Sequence, residues 1–590
     1  MKKKDNSNLP YKNIKIWRIF AITILFSFLS ILLVVRLFQV QILDHKKYDN
    51  IASDIQLTRV EKKANRGLIY DRNNTLLATN MKSLTIALDP KAVATVKNPD
   101  EIKKLKEFIR YVNKITGIPA TKINNILKFS KSRYVVLAKD LNIQYKDELK
   151  KNQIYGVIIE EKIERIYPNN NLASHLIGFI NSEGDGLSGI ELKFDTLLRG
   201  QSGYLILKRD IHRQLHAGAE LPNVEPIDGK NITLTIDANL QSIVEYELKK
   251  GVESTQSEAG SVIIMDPNTG EILAMASAPG FNPNIESERV SEYVRNRAIT
   301  DEYEPGSTFK LITASAALEE KIVFPEEKFS GMGGAYTVGG NVISDVHPLG
   351  TVTFREATYH SSNVVFSLVA AKIPHNTFYK YIRDFGFGLL TDIELPGEAR
   401  GRIPTPKEMN SVLQRWVGFG YGISATPLQM LQAYCVPANG GNLVRPYIIK
   451  SISDADGNII YQGKPKSVRR VISKETSDTL KNLFTGIVEY GTGKAGRIKN
   501  LKIAGKTGTS QQLVGGIYSK SHYNASFVGF FPSDNPQIAI IVVLDSPKGV
   551  YYGGSTAAPI FKDIALRIIT SSEILAKPAN PSSTVLASIP

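Results

Sequence analysis

A serine and a lysine stand three positions apart in Glu304-Pro305-Gly306-Ser307-Thr308-Phe309-Lys310, directly after a Pro-Gly break at which a helix would begin. Positions i and i+3 share one helix face. Ser307 would offer its hydroxyl in the first turn, beside unpaired backbone N–H groups and the positive end of the helix dipole, both of which favour an anion formed there. Lys310 would sit one turn further in, among Phe309, Leu311 and Ile312. Desolvation lowers the pKa of such an ammonium, and the neutral amine is then a base for the serine hydroxyl. The chemistry implied is acyl transfer at serine with lysine as the base.

Alone, S-x-x-K is a common string. Two further stretches raise its meaning. Ser361-Ser362-Asn363 reads as S-x-N in a loop ahead of the apolar run Val364-Val365-Phe366, and Lys506-Thr507-Gly508-Thr509 reads as K-T-G-T at the end of the strand-like Leu501–Gly505. S-x-x-K, S-x-N and K-T-G in that order form the constellation of penicillin-interacting acyl-serine enzymes. Each piece also has a plainer reading. Ser361 and Asn363 would cap the following helix if they stood alone. Gly505-Lys506-Thr507 suggests a phosphate loop, but such a loop needs a glycine where this chain has Asn500. A Ser-His-Asp triad would draw on His360, the histidine nearest a motif, yet no G-x-S-x-G surrounds Ser307.

The elements that must position these groups follow from the pattern. Asn231–Asp237 alternates like a strand and Leu240–Ile243 opens a helix, which places a domain boundary near Gly229. Ser261–Met265 and Glu271–Met275 are β-rich runs joined by the turn signal Asp266-Pro267-Asn268-Thr269-Gly270. Helical segments run from the S-x-x-K helix to about Met430. Strands return at Ala525–Phe531 and Ile538–Leu544, and a last helix starts near Pro559. This order predicts an α+β domain over 230–576, an antiparallel sheet with flanking helices and a helical lobe. Between 41 and 229 the chain shows short β-like runs, one helix near Ile102–Ile115 and no nucleophile, as expected of a non-catalytic pedestal.

Residues 19–35 form an uncharged, mostly apolar run, and extended through Arg36 to Val40 they would make a helix about 33 Å long, enough to span a bilayer. Lys2, Lys3, Lys4, Lys12, Lys15 and Arg18 precede them against a single Asp5, so the tail 1–18 is expected in the cytoplasm and the rest outside it. No small-x-small site follows the run, which favours an uncleaved anchor. The 577–590 tail, with Pro578, Pro581 and Pro590 among small polar residues, reads as disordered. With 72 basic and 57 acidic residues the net charge is +15. No zinc-finger spacing or aromatic-interleaved basic block appears, so membrane and anionic wall precursor are favoured over nucleic acid. The single cysteine, Cys435, excludes an intramolecular disulfide and reads as a buried small hydrophobe.

On these motifs the chain resembles a class B penicillin-binding protein, and most closely the septal, cell-division branch, from the anchor near Ile19 to about Ile569. Gly418–Gln429 and Thr300–Glu304 resemble that branch's segments, while Arg66–Arg72, Gly189–Glu191 and Arg199-Gly200 resemble short motifs of the family's pedestal, also called its dimerisation domain. Lys208–Arg213 departs from the family where a glycine is usual before the second arginine. The resemblance implies a D,D-transpeptidase that cross-links peptidoglycan stem peptides and is acylated by β-lactams. It assigns Ser307 as nucleophile, Lys310 as base, Ser361 as proton relay, Asn363 as holder of Lys310 and substrate, and Lys506, Thr507, Gly508 and Thr509 as the substrate-binding strand. It implies no metal or cofactor. No glycan-polymerising domain precedes the pedestal, so a separate membrane polymerase and other divisome proteins are expected as partners. A β-lactam sensor or hydrolase, a D,D-carboxypeptidase and a non-enzymatic divisome scaffold are the alternatives. A hydrolase would need a further carboxylate, and Glu394 and Glu398 qualify by position only.

Overall fold

The structure, a computed structural model, describes residues 16–49, 57–209, 215–217 and 221–571. The basic residues before 16, the 577–590 tail and Asp210–Arg213 lie outside the described residues. Two compact units form, one from residues 1–64 with 201–227 and one from the remainder. The contacts thus group the chain differently from a division near residue 229.

In the first unit a helix, Ile16–Phe38, continues into a π-helical turn, Gln39–Leu43. Its 28 residues are long and apolar enough to cross a membrane, and none of the helix is buried against protein. A helix apolar on every side with nothing packed on it suits a bilayer. The unit also holds a small sheet, in which Leu57–Lys62 pairs antiparallel with Gly203–Arg209. Leu215–Ala217 and Asn223–Val224 pair with the latter strand.

In the second unit a seven-stranded sheet explains why residues before and after 229 cohere. Asn231–Leu234 pairs in parallel with Ile69–Tyr70 and antiparallel with Ile449–Ser453, so three distant segments share one strand neighbourhood. Leu76–Leu88 extends that sheet and pairs on with Val135–Asn142 and Val157–Ile166. The helix expected near Ile102–Ile115 is Pro99–Thr116, capped by the Asn98 side chain and closed by Gly117 in the left-handed region. It buries Phe108, Ile109 and Val112 against Leu84, Ile86 and Leu88.

A buried charge lock holds this region. Glu191, fully buried, accepts from Arg66 Nε at 2.6 Å and Arg165 Nε at 2.7 Å, and Arg66 Nη1 also reaches Asp195 at 2.8 Å. Glu191→Ala would leave the buried Arg165 guanidinium without its counter-charge and Arg66 with Asp195 alone, a defect that typically costs about 3–5 kcal/mol. Urea unfolding of the detergent-purified chain is expected to show a loss of that size; a loss under about 1 kcal/mol would mean the lock adds little.

The second sheet of this unit carries the site. Its five antiparallel strands run in the order Ile272–Ala278, Ala259–Met265, Ile538–Asp545, Ile517–Phe531, Ala504–Val514. The turn Asp266–Gly270 joins the first two, as its residues predict. Because successive side chains alternate across a strand, Val262, Ile264, Ile540 and Val542 face the helices Ala238–Thr255 and Ala557–Ser571, while Ile263, Met265 and Ile541 face the opposite core. That core contains Leu311, Leu428 and Leu483, from the helices Lys310–Glu319, Pro427–Ala438 and Lys474–Tyr490.

Two expectations are corrected here. Lys506–Thr509 do not follow a strand; they lie inside the edge strand Ala504–Val514. Asn500 adopts a left-handed φ of 64°, and an isolated bridge joins Ile498 to Leu501, so a turn occupies the supposed strand and delays the real one. The helical run to Met430 is also interrupted, by short strands from Lys328 to Thr353 that include the hairpin Ala335–Val338 and Asn341–Ser344.

Candidate active site

Ser307 lies in a 3₁₀ turn, Gly306–Phe309, that leads directly into the helix Lys310–Glu319. With three residues per turn, positions i and i+3 eclipse, and Lys310 falls directly behind Ser307. Its Nζ donates to Ser307 Oγ at 3.0 Å. The same nitrogen bonds Ser361 O at 2.6 Å, Ser361 Oγ at 3.1 Å and Asn363 Oδ1 at 2.8 Å. The S-x-x-K and S-x-N motifs, 51 or more residues apart in sequence, therefore meet on one amine.

The third motif arrives from the sheet. Lys506 Nζ donates to Ser361 Oγ at 2.6 Å and to Thr507 O at 3.1 Å. Ser361 Oγ thus stands between two lysine nitrogens. Both lysines are buried, Lys310 at 1% exposure and Lys506 at 0%. Burial holds Lys310 far below the ordinary lysine range; the nearby charge of Lys506 pushes the same way, and Asp345 opposes both. Burial alone brings Lys506 down to about 7. So buried a site disfavours two ammonium groups at once, which favours the neutral amine next to Ser307. That amine can take the hydroxyl proton as the oxygen attacks a carbonyl.

Helix capping, the plainer reading of Ser361 and Asn363, falls to their neighbour. Ser362 is the N-cap of the helix Asn363–Lys372, and its hydroxyl accepts from Val365 N at 3.0 Å. Ser361 adopts a left-handed φ of 59°, and Asn363 gives its amide NH₂ to Ser344 O at 2.8 Å, leaving Oδ1 for Lys310.

Thr507 and Thr509 lie on the other face of the edge strand from Lys506. Their hydroxyls meet Thr492 Oγ1 at 3.0 Å and Gly553 N at 3.0 Å respectively. Gly508 is where the strand passes the nucleophile turn. A Cβ there would stand 2.4 Å from Ser526 Oγ and 3.0 Å from Pro305 O. Gly420 is tighter still, with a φ of 93° and a Cβ position 2.0 Å from Gly306 O. It receives the Gly306 N–H at 3.1 Å.

Several groups that shape the site carry no motif signal. Tyr434, fully buried, donates its hydroxyl to Thr308 O at 2.9 Å and pins the nucleophile turn from below. Glu304 Oε1 accepts from Gly422 N at 2.8 Å and Tyr518 OH at 3.1 Å. Asp345 receives bonds from the S-x-N turn. Glu394 and Glu398 are committed elsewhere: Glu394 accepts from Ile448 N and Arg445, Glu398 from Thr391. His360 is exposed, and among the described residues the base within hydrogen-bonding distance of Ser307 Oγ is Lys310. Cys435 is buried, as expected of a small hydrophobe.

The chain is similar to known proteins along most of its length. A family model described as Penicillin binding protein transpeptidase domain matches residues 260–566, and one described as Penicillin-binding Protein dimerisation domain matches 61–234. Stage V sporulation protein D of Bacillus subtilis (strain 168) is 32% identical over 94% of this chain and 85% of its own length. Peptidoglycan D,D-transpeptidase FtsI of Escherichia coli (strain K12) is 31% identical, over 88% of this chain and 86% of its own. The crystal structure of Penicillin Binding Protein 2X from Streptococcus thermophilus superposes with a TM-score of 0.76 at 26% identity, covering 88% of this chain and 81% of that one.

Proposed function

The chain belongs to the class B penicillin-binding proteins of the septal type, and from that premise we propose how its own residues cross-link peptidoglycan stem peptides at the division septum. Ser307 attacks the carbonyl between the two D-alanines of a donor stem while the neutral Lys310 amine takes its proton. Backbone N–H groups of Ser307 and Thr509 receive the oxyanion. Ser361, bonded to both lysines, passes a proton to the departing D-alanine, and Asn363 holds Lys310 and the substrate amide. Thr507 and Thr509 dock the donor's terminal carboxylate against the strand Ala504–Val514, and Lys506 adds positive potential from the strand's other face. An amine from a neighbouring stem then attacks the Ser307 ester, forming the cross-link and freeing the serine.

The single observation that carries this reading is the buried Lys310 Nζ, 3.0 Å from Ser307 Oγ and bonded at once to Ser361 and Asn363. β-Lactams enter the same reaction as acylating mimics of the donor. Residues 41–229 serve as a non-catalytic pedestal. The helix Ile16–Phe38 anchors the chain with its N-terminus in the cytoplasm and the catalytic domain outside, where a separate glycan polymerase of the division machinery supplies the strands to be joined.

Depletion of the protein in growing cells is expected to give filaments that fail to complete septa. Normal septation on depletion would assign the cross-linking to another wall-building event, the kind that the name of the Bacillus subtilis relative denotes.

A further inference from the structure

We propose that Asp345 is a positioning residue of this site, holding the turn that carries Ser361 and Asn363 and supplying the negative charge that acts on the buried Lys310. It rests on the acyl-serine reading above. Asp345 directly follows the hairpin strand Asn341–Ser344, and its own N–H is fixed to Gly334 O at 2.8 Å. From there its carboxylate grips the start of the helix Asn363–Lys372 from outside. Oδ1 accepts the N–H groups of Asn363 and Val364, the latter at 3.0 Å, and Oδ2 accepts the Ser362 hydroxyl at 2.7 Å. These are N–H groups a helix cannot satisfy from within. The preceding Ser344 O takes the Asn363 side-chain NH₂. Residues 344 and 345 thereby fix both the backbone and the amide orientation of Asn363, and with them the left-handed Ser361.

The charge matters as much as the grip. The groups that act on Lys310 are Lys506 from the edge strand and Asp345 from the hairpin segment; the faces of Ser307, Ser361, Asn363 and Phe366 bring no charge. His347 and His360, on the flanking segments, are exposed to solvent. Asp345 favours the charged form of Lys310 and Lys506 disfavours it. Removing the carboxylate therefore makes Lys310 easier to deprotonate, and the neutral base persists to lower pH.

The test measures the acylation rate constant and the binding constant for a fluorescent penicillin on the full-length, detergent-purified chain, from about pH 5 to pH 9. Asp345→Asn keeps the shape and most of the grip but removes the charge; its acid limb is expected to move to lower pH by about half to one unit. Asp345→Ala removes both and is expected to lose about 10²-fold in the acylation step with little change in binding. An Asp345→Asn limb that coincides with that of wild type, or an Asp345→Ala enzyme acylated within about threefold of wild type, would overturn the proposal. If Asp345→Ala fails to fold, the Asp345→Asn limb decides alone. Wild-type acylation in the same assay keeps a failure of the acyl-serine reading distinct from a failure of this one.

Discussion

Lys310→Met is expected to slow acylation by benzylpenicillin about 10³-fold, a loss of roughly 4 kcal/mol of transition-state stabilisation. Among the described residues no other amine reaches Ser307 Oγ. Lys310 Nζ is the amine bonded to Ser307 Oγ, and the second lysine, Lys506, reaches Ser361 instead. Methionine has nearly the same volume, so the buried space stays filled. It also removes a group whose charged form is penalised there, so the fold is expected to survive. The variant should bind penicillin and melt like wild type while failing to react.

The pH profile sharpens this expectation. Lys310 is lowered in the folded enzyme, and Lys506 stands at about 7. Above these values the amines are neutral and the base is available; as pH falls through them, the amines take up protons and acylation is lost. Wild type is thus expected to show an acid limb well below the ordinary lysine range, and Lys310→Met a slow rate that does not share it. A loss smaller than about tenfold would remove Lys310 from the role of base.

The local parts of this site are legible in the sequence. Ser307 and Lys310 are three residues apart, and a single turn of either helix type brings them together. The Asp266–Gly270 turn and the last helix were readable for the same reason, since their signals lie within a few residues. The sequence did not show what depends on contacts between distant segments. Ser362 takes the cap and frees its two neighbours, which is settled by how Lys310, Ser344 and Asp345 approach the turn. Asp345 and Tyr434 match no motif, because their importance lies in the backbone atoms they hold. The edge strand begins later than its residues predict because Asn500, one of the few non-glycine residue types that tolerate a positive φ, turns the chain there. Strand Asn231–Leu234 belongs to a sheet shared by three segments, and no local pattern encodes such partners.

The second large effect concerns the fate of the ester. An acyl-enzyme is lost to water only where a base activates that water, and the two carboxylates that qualified by position are held by other partners, Glu394 by Ile448 and Arg445 and Glu398 by Thr391. Lys310 itself is bonded within the motif cluster. A penicilloyl ester on Ser307 is therefore expected to persist for many minutes.

Intact-protein mass spectrometry after addition of benzylpenicillin reads this directly, with Ser307→Ala as the control. One penicilloyl adduct on wild type that persists over that time and is absent from Ser307→Ala is the expected result. No adduct on wild type, or an adduct that survives Ser307→Ala, would contradict the assignment of Ser307 as the nucleophile, and an adduct shed within seconds would make the protein a hydrolase of β-lactams instead.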